Sequence, residues 1–311
     1  MASSLPRAHR VRAIMCALVT CAVATPPLAA QATPGDGAMR RRIPLTRRFD
    51  LADGLDRTPV FAVQRAPDGR LWVATGTGIA SWDGTRFVRM PFPSPHAGTA
   101  VRRLLFTGAR IWAASQRGLF VRDGAGPWRR LPDLREGRQW QLASWARAGE
   151  APAVVVALEA SLVLVDERTG RRRGALAPAG FPSALAMLAT TESAAGRTLW
   201  VAALGGGVWR WRARDAAPTW VMRPTRAGSL YEDVRPCPQL GPEGVVVAAH
   251  DGAYAIGDDG IPRRLGTLRG VLRVACTGTR AHPEYWIGTT SGAIERLDAA
   301  GATPVTLEPA F

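Results

Sequence analysis

A nine-residue motif that recurs along the whole chain constrains the fold more than any other feature. In its clearest copy, residues 71–79, an apolar pair containing Trp72 is followed by small residues, a turn, and a glycine six positions after the tryptophan. Residues 111–119 and 285–293 match closely, residues 199–207 carry an extra glycine, and residues 154–161 and 245–252 are degenerate copies. The anchor positions lie 40 to 46 residues apart. Repeats of this length are typical of β-propellers, in which each repeat forms one four-stranded blade.

Turn chemistry divides each repeat into four short strands. In the first repeat, Asp68-Gly69 and Asp83-Gly84 separate apolar runs. Asp-Gly supplies the positive φ values that tight hairpin turns need. We therefore predict an all-β propeller of four-stranded antiparallel blades, in which one large side chain per blade fills the space between neighbouring sheets. The six repeats have approximate cores at residues 60–90, 101–131, 140–176, 185–222, 234–265 and 271–307.

The N-terminus has the features of an export signal. Residues 1–32 are predicted to be a signal peptide, 33–42 a flexible linker and 43–311 the propeller. Three arginines precede an apolar stretch at 13–24, and Ala30 and Ala32 frame a cleavage site, with a cut near Ala29 as the alternative. The apolar stretch is shorter than the roughly 20 residues of a membrane-spanning helix. We expect a periplasmic or otherwise extracytoplasmic protein.

The charge of the chain argues against nucleic acid as a partner and is compatible with an anionic ligand. The formal net charge is +15, and all 40 basic residues are arginine. They are spread along the chain, with short runs at 40–42 and 171–173, whereas a nucleic-acid surface concentrates basic residues on one face. Export also removes nucleic acid as a partner. A small molecule or an oligosaccharide, including an anionic one, is compatible with this field.

Two cysteines, Cys237 and Cys276, follow the signal peptide. They precede corresponding positions of neighbouring repeats and would lie in an oxidising compartment, so a disulfide between them is permitted. Two buried free thiols explain them equally well. Two ligands are too few for a cysteine zinc site, and no metal is predicted.

These repeats resemble the two-component regulator propeller repeat. Residues 53–60 give its Gly-Leu loop and inner strand, residues 68–75 its Asp-Gly turn and Leu-Trp-aliphatic strand, and Gly78-Ile79 its final glycine and aliphatic strand. The match covers 47–307 and is weakest in the third and fifth copies. In that family such propellers are extracytoplasmic sensor regions, followed by a membrane span and a histidine kinase or diguanylate cyclase. The resemblance implies a ligand-sensing region of a bacterial signal-transduction receptor, which could act as a homodimer.

An additional strand is predicted ahead of the first repeat. Residues 43–49 resemble an outer strand, although the sixth repeat already has its own at 304–307. We therefore predict six blades and one strand of an incomplete seven-bladed ring. The rest of the seventh blade, the membrane span and the output domain are expected beyond Phe311. The alternative is a six-bladed ring with an extended N-terminus.

Catalytic motifs are scarce. The three histidines that follow the signal peptide have no partner at metal-ligand spacing. Glycine-rich segments at 76–78 and 205–207 lie in predicted hairpins rather than at strand-to-helix junctions, which argues against phosphate loops. Tyr231-Glu232 is the adjacent Tyr-acid pair that a sialidase-like propeller could use, but a solvated loop pair explains it better. We predict no enzyme activity and no cofactor.

Ligand-binding candidates come from the loops that enter the inner strands, because these loops surround one mouth of a propeller channel. Arginine and aromatic side chains bind anions and sugars, and five of them are selected as binding residues: Arg57, Arg102, Trp140, Tyr231 and Arg235. Two alternatives to the sensor remain open. The chain could be a self-contained secreted propeller that binds carbohydrate or protein, or a propeller hydrolase or lyase.

Overall fold

A computed structural model describes residues 49–305 except 57, 94, 135–140, 148, 159–160, 177–185 and 224–229. These residues form six four-stranded antiparallel sheets arranged in a ring, which confirms the predicted all-β propeller. In each sheet the strands pair in sequence order. The predicted signal peptide, the linker and residues 43–48 lie outside the described residues.

The strands of the first three blades have the following bounds. Blade one holds β1 (Val60–Arg65), β2 (Leu71–Thr75), β3 (Gly78–Trp82) and β4 (Phe87–Met90). Blade two holds β5 (Val101–Thr107), β6 (Arg110–Ser115), β7 (Gly118–Asp123) and β8 (Arg129–Arg130). Blade three holds β9 (Gln141–Trp145), β10 (Ala153–Ala157), β11 (Leu162–Asp166) and β12 (Arg172–Leu176).

The other three blades follow the same order from the inner to the outer strand. Blade four holds β13 (Ala186–Ser193), β14 (Gly196–Ala203), β15 (Gly207–Arg212) and β16 (Thr219–Met222). Blade five holds β17 (Tyr231–Pro236), β18 (Val245–Ala249), β19 (Gly252–Ile256) and β20 (Pro262–Leu265), with a short 3₁₀ turn at Pro238–Leu240 after its first strand. Blade six holds β21 (Val271–Gly278), β22 (Pro283–Thr289), β23 (Ile294–Asp298) and β24 (Gly301–Val305).

Asp-Gly turns close hairpins in this fold as the sequence predicts. Gly69 and Gly260 adopt φ values of 84° and 72°, in the left-handed region. The preceding aspartates, Asp68 and Asp259, each accept a hydrogen bond of 3.0 Å from the backbone N–H two residues later. Glycine adopts this backbone conformation without a steric cost, and the aspartate side chain fixes the turn.

The recurring tryptophan fills the junction between its own blade and the next. Trp72, Trp112 and Trp200 are buried, and each belongs to a core cluster that includes residues of the following blade. In the degenerate repeats Val155 and Val246 take the same place and are also buried. Burial of one large apolar side chain contributes roughly 1.5–3 kcal/mol. Five such junctions therefore provide the main packing of the ring.

The junction between blade six and blade one is packed differently. Each of the other five junctions buries one aliphatic residue of an inner strand. These residues are 1–5% exposed: Leu104, Leu142, Leu188, Val234 and Val274. The equivalent Val63 of blade one is 54% exposed. Trp286, the sixth copy of the tryptophan, is partly buried and belongs to none of the core clusters found among the described residues.

Residues ahead of the first blade cover the outer part of the face that blade one turns toward blade six. Phe49 packs edge-on against Trp82 and Phe87, with ring centroids 5.0 and 5.4 Å apart. Leu55 joins the same cluster, which includes Val73. The inner part of the face, at Val63, remains exposed. Six blades are established, and the seventh blade that the sequence favours stays a prediction.

Cys237 and Cys276 form a disulfide that joins blade five to blade six. Cys237 directly follows β17 and Cys276 lies on β21, with Cα atoms 5.3 Å apart, a separation usual for a disulfide. The Gln239 amide nitrogen donates a 3.1 Å hydrogen bond to the Gly278 carbonyl of blade six. Because blade six has a tightly packed neighbour on one side, this covalent link secures it to the ring.

The two kinds of junction can be compared by one substitution at equivalent positions. Val234→Ala, in a buried junction, is expected to lower the free energy of unfolding by about 2 kcal/mol through lost burial and a cavity. Val63→Ala should lower it by less than about 0.5 kcal/mol, because that side chain is already in solvent. Urea denaturation measures both. Equal losses would show that the junction between blades six and one is packed like the others.

The disulfide is expected to stabilise blade six. The two cysteines are 39 residues apart, and a cross-link over a loop of that size contributes roughly 3–4 kcal/mol in the chain-entropy account. The double variant Cys237→Ser, Cys276→Ser should lose that stability in urea denaturation and should no longer respond to reductant. Amide hydrogen exchange should rise in β21–β24 more than in β5–β7. Unchanged exchange in β21–β24 would contradict this role.

Candidate functional site

The inner strands begin with a shared irregularity. In β1, β5, β17 and β21 the pairing register with the second strand shifts after the first residue of the inner strand. A bulge of this kind adds one residue to the strand and redirects the side chains around it. The residues that follow the bulge are Ala62, Arg103, Asp233 and Arg273. In β9 and β13, which pair regularly, Gln141 and Met187 occupy the equivalent positions.

Arg103 and Gln141 connect two inner strands directly. Arg103 Nε donates a 2.7 Å hydrogen bond to Gln141 Oε1, and its Nη2 donates to the same oxygen. Both side chains are buried, and Arg103 is 7% exposed. Its partner is thus a neutral amide, and no carboxylate of a described residue pairs with it. A buried guanidinium without a counter-charge is a costly arrangement in a protein interior.

Charged side chains of blades five and six act on Arg103. Burial lowers the pKa of Arg103 to about 10; the positive charges of Arg235 and Arg273 add to this effect and the negative charge of Asp233 opposes it. An arginine with this pKa is still protonated at neutral pH. We call Arg103, Gln141, Asp233, Arg235 and Arg273 the axial cluster, because all five lie on inner strands near the end of the channel where the chain enters them.

Within the axial cluster the one carboxylate is already paired. Asp233 is buried and accepts hydrogen bonds from its neighbour's backbone N–H, 3.1 Å away, and from Arg235 Nε at 3.0 Å. Arg273 Nη1 donates to two backbone carbonyls, those of Leu272 at 2.7 Å and Glu232 at 3.3 Å. The cluster therefore contains three guanidinium groups and one carboxylate, which pairs with Arg235 alone. The excess positive charge can hold an oxyanion through charge-assisted hydrogen bonds.

The residues selected from the sequence are placed as follows. Arg235 lies in the axial cluster, and Arg102 stacks over the Phe61 ring at 3.8 Å, next to Arg103 on the same strand. Tyr231 is buried in the core between blades four and five, and this burial raises its pKa to about 12. Arg57 and Trp140 lie outside the described residues.

The sequence analysis assigned Arg102, Tyr231 and Arg235 to loops, and this assignment was wrong. The structure places Arg102 on β5 and the other two on β17. The bulges explain the difference. Arg102 is the additional residue of the bulge in β5, and Tyr231 and Arg235 lie on either side of the bulge in β17, so polar residues that indicate a loop belong to the inner strand.

Four residues of the axial cluster were missed by the sequence analysis: Arg103, Gln141, Asp233 and Arg273. A signal for three of them exists in a four-residue pattern at the start of the inner strand. The pattern has an apolar residue, a variable residue, a polar residue and an aliphatic residue, and it occurs at 101–104, 231–234 and 271–274. Apolar packing does not explain a polar residue between apolar positions of a predicted inner strand, so such a residue is a candidate for a buried polar network. Gln141 has no such pattern.

Two cavities away from the axial cluster contain charges that the protein itself neutralises. A cavity of about 200 Å³ beside blade one is lined by Asp56, Thr77 and Arg89. Hydrogen bonds from Thr77 and then Arg89 lower the pKa of Asp56. A cavity of about 500 Å³ at the opposite ends of blades two and three contains Arg110, which pairs with Asp123 and with backbone carbonyls. Unlike Arg103, Arg89 and Arg110 in these cavities each pair with a carboxylate.

Two further features of the described residues bear on function. They contain no group of three or more His, Cys, Asp or Glu side chains placed to hold a metal ion. In the same part of the chain, no helix has the length and apolar character needed to cross a membrane.

Known proteins share the fold of this chain. No protein-family profile matches the sequence, and no curated protein matches it. Among solved structures it is similar to PorZ, a surface component of the type IX secretion system of Porphyromonas gingivalis (TM-score 0.62, 17% identity, covering 85% of this chain and 34% of that one). It is also similar to the extracellular domain of the hybrid two-component system BT3049 from B. thetaiotaomicron (TM-score 0.60, 16% identity, 85% and 38%). A third similar structure is YCF48 from Cyanidioschyzon merolae (TM-score 0.56, 13% identity, 79% and 84%).

These similarities show the fold alone, because the identities are low. The chain spans little more than a third of the first two proteins. PorZ is a surface component, and the BT3049 structure is an extracellular domain.

The hydrogen bond between Arg103 and Gln141 can be tested by removing its acceptor. Gln141→Leu keeps a side chain of similar size and leaves the buried guanidinium without its amide partner. We expect the free energy of unfolding to fall by roughly 1.5–3 kcal/mol, the usual range for a hydrogen bond to a charged group. The double variant Arg103→Leu, Gln141→Leu should recover part of that loss. A single variant as stable as the wild type would contradict the burial of a charged Arg103.

Proposed function

We propose that this chain is the extracytoplasmic ligand-sensing propeller of a bacterial signal-transduction receptor. The axial cluster is the observation that carries the proposal. Side chains of blades two, three, five and six converge at one end of the channel, so a ligand bound there contacts both halves of the ring. Similarity in fold to the extracellular domain of a two-component system supports this role.

The weak junction of the ring offers a way to transmit binding. Five junctions are packed by buried aliphatic and tryptophan side chains, whereas Val63 and Trp286 leave the sixth partly open. A ligand held by Arg103 on one side and Arg273 on the other restrains blade six relative to blade two. Because ligand binding shifts the population of states that it contacts differently, it would alter the opening of this junction. In the full-length receptor, a membrane span and an output domain would follow the propeller.

A self-contained surface propeller is the second candidate, favoured by the similarity in fold to PorZ. Both candidates bind a ligand at the axial cluster, and they differ in what binding does elsewhere. A sensor must change at a distance from its ligand. A binding module has no need to do so.

Hydrogen exchange distinguishes these two functions. Uronic acids, sulfated sugars, dicarboxylates and neutral sugars are first screened by thermal shift against the exported protein. With the ligand found, the sensor proposal predicts slower exchange both at the inner strands and at β22–β24 of blade six. Slower exchange at the inner strands alone favours the binding module, and the absence of any ligand in the screen contradicts both functions.

A control and a localisation measurement complete the test. Arg235→Gln removes the ion pair of Asp233 and should abolish the thermal shift, whereas Arg171→Gln, an exposed arginine on blade three, should leave it unchanged. Cell fractionation should find the protein outside the cytoplasm, and N-terminal sequencing should find it processed after Ala32. An unprocessed cytoplasmic protein would contradict the proposal.

A further inference from the structure

Two buried carboxylates of this propeller, Glu243 and Asp233, each pair with an arginine, whereas the buried Arg103 is bonded to a neutral amide. Glu243 is buried between blades four and five, and its two carboxylate oxygens each accept a 2.9 Å hydrogen bond from Arg212 Nε. Asp233 is buried and pairs with Arg235. Arg103 is buried to the same degree and has a neutral amide for a partner. Buried charges in proteins are as a rule paired with an opposite charge, and Arg103 has none among the described residues.

Among the described residues, the surroundings of Arg103 do not supply a negative charge. The guanidinium groups of Arg235 and Arg273 repel it, and the nearby carboxylate of Asp233 is engaged by Arg235. Arg273 is exposed and bonded to two backbone carbonyls, which are neutral acceptors. Two arginines on opposite sides of the ring thus carry positive charge that no described carboxylate pairs with.

We propose that the axial cluster binds the oxyanion group of a small ligand, namely a carboxylate, sulfate or phosphate. This inference rests on the proposed function and specifies its ligand. Arg103 and Arg273 supply the charge, because the planar guanidinium donates two parallel hydrogen bonds to an oxyanion. Gln141 holds Arg103 in place from behind. The rest of the ligand extends into the mouth of the channel. The oxyanion group therefore positions the ligand, and the residues of the mouth select among molecules that carry such a group.

Calorimetric titration of the exported protein tests this inference. Sodium sulfate, sodium phosphate and sodium glucuronate are titrated at constant ionic strength, with glucose as the uncharged counterpart of glucuronate. We expect saturable binding of one anion per chain and no binding of glucose. The best anion identifies its source, either a free inorganic ion or the acid group of a sugar.

Two variants assign the binding to the axial cluster. Arg273→Gln removes an exposed charge without disturbing the core and should weaken anion binding at least tenfold. Gln141→Glu places a carboxylate on Arg103, so it should keep or raise the melting temperature while it also weakens anion binding at least tenfold. Arg171→Gln makes the same change of net charge as Arg273→Gln, far from the channel, and should bind like the wild type.

Several results would overturn the inference. One is that Arg273→Gln and Arg171→Gln bind the anion with equal affinity. Another is that Gln141→Glu binds the anion as tightly as the wild type. A third is that glucose binds as tightly as glucuronate. Glucose binding that depends on the mouth would leave the proposed sensing function standing, because a neutral ligand can also be sensed. If a neutral sugar binds and no anion does, this inference fails but the proposed function stands.

Discussion

Face-to-face packing between neighbouring blades is the interaction on which the rest of the structure depends. A tryptophan, or a valine in its place, fills each of the five closed junctions and fixes the distance between consecutive sheets. This packing sets the position of the inner strands around the axis. The bulges at the start of those strands then bring Arg103, Asp233 and Arg273 to a common level. The charged centre is thus a consequence of an apolar repeat.

The same packing explains why the ring is uneven. Each blade has two faces, and the interior blades bury both. On the faces that blade one and blade six turn toward each other the packing is incomplete, which leaves Val63 exposed and Trp286 partly so. The contacts of Phe49 with Trp82 lie beside this weak junction, and the disulfide between Cys237 and Cys276 ties blade six to blade five on its other side. Regions with few buried contacts open most readily, so this junction is where the propeller can respond to a ligand.

The fold was predictable from the sequence because its determinants are local and repeated. Trp72 and Asp68-Gly69 fix a strand and a turn within a few residues of themselves. The axial cluster was largely hidden because its determinants are not local. The residue at the axial position lies 10 residues before Trp72 in blade one but 13 before Val246 in blade five, since hairpin lengths differ. A fixed number of residues counted back from the tryptophan motif therefore does not find the axial position in every blade. The bulges change that number by one more residue.

The central claim is that a charged arginine is buried at the axis with a neutral partner. The most direct measurement is the NMR signal of the Arg103 Nε–H group, assigned by comparison with the spectrum of Arg103→Lys. Because Nε is buried and bonded to Gln141, we expect a signal that persists at pH 8, where exposed arginines exchange too fast to be seen. An Arg103 signal that exchanges as fast as those of exposed arginines would contradict the account.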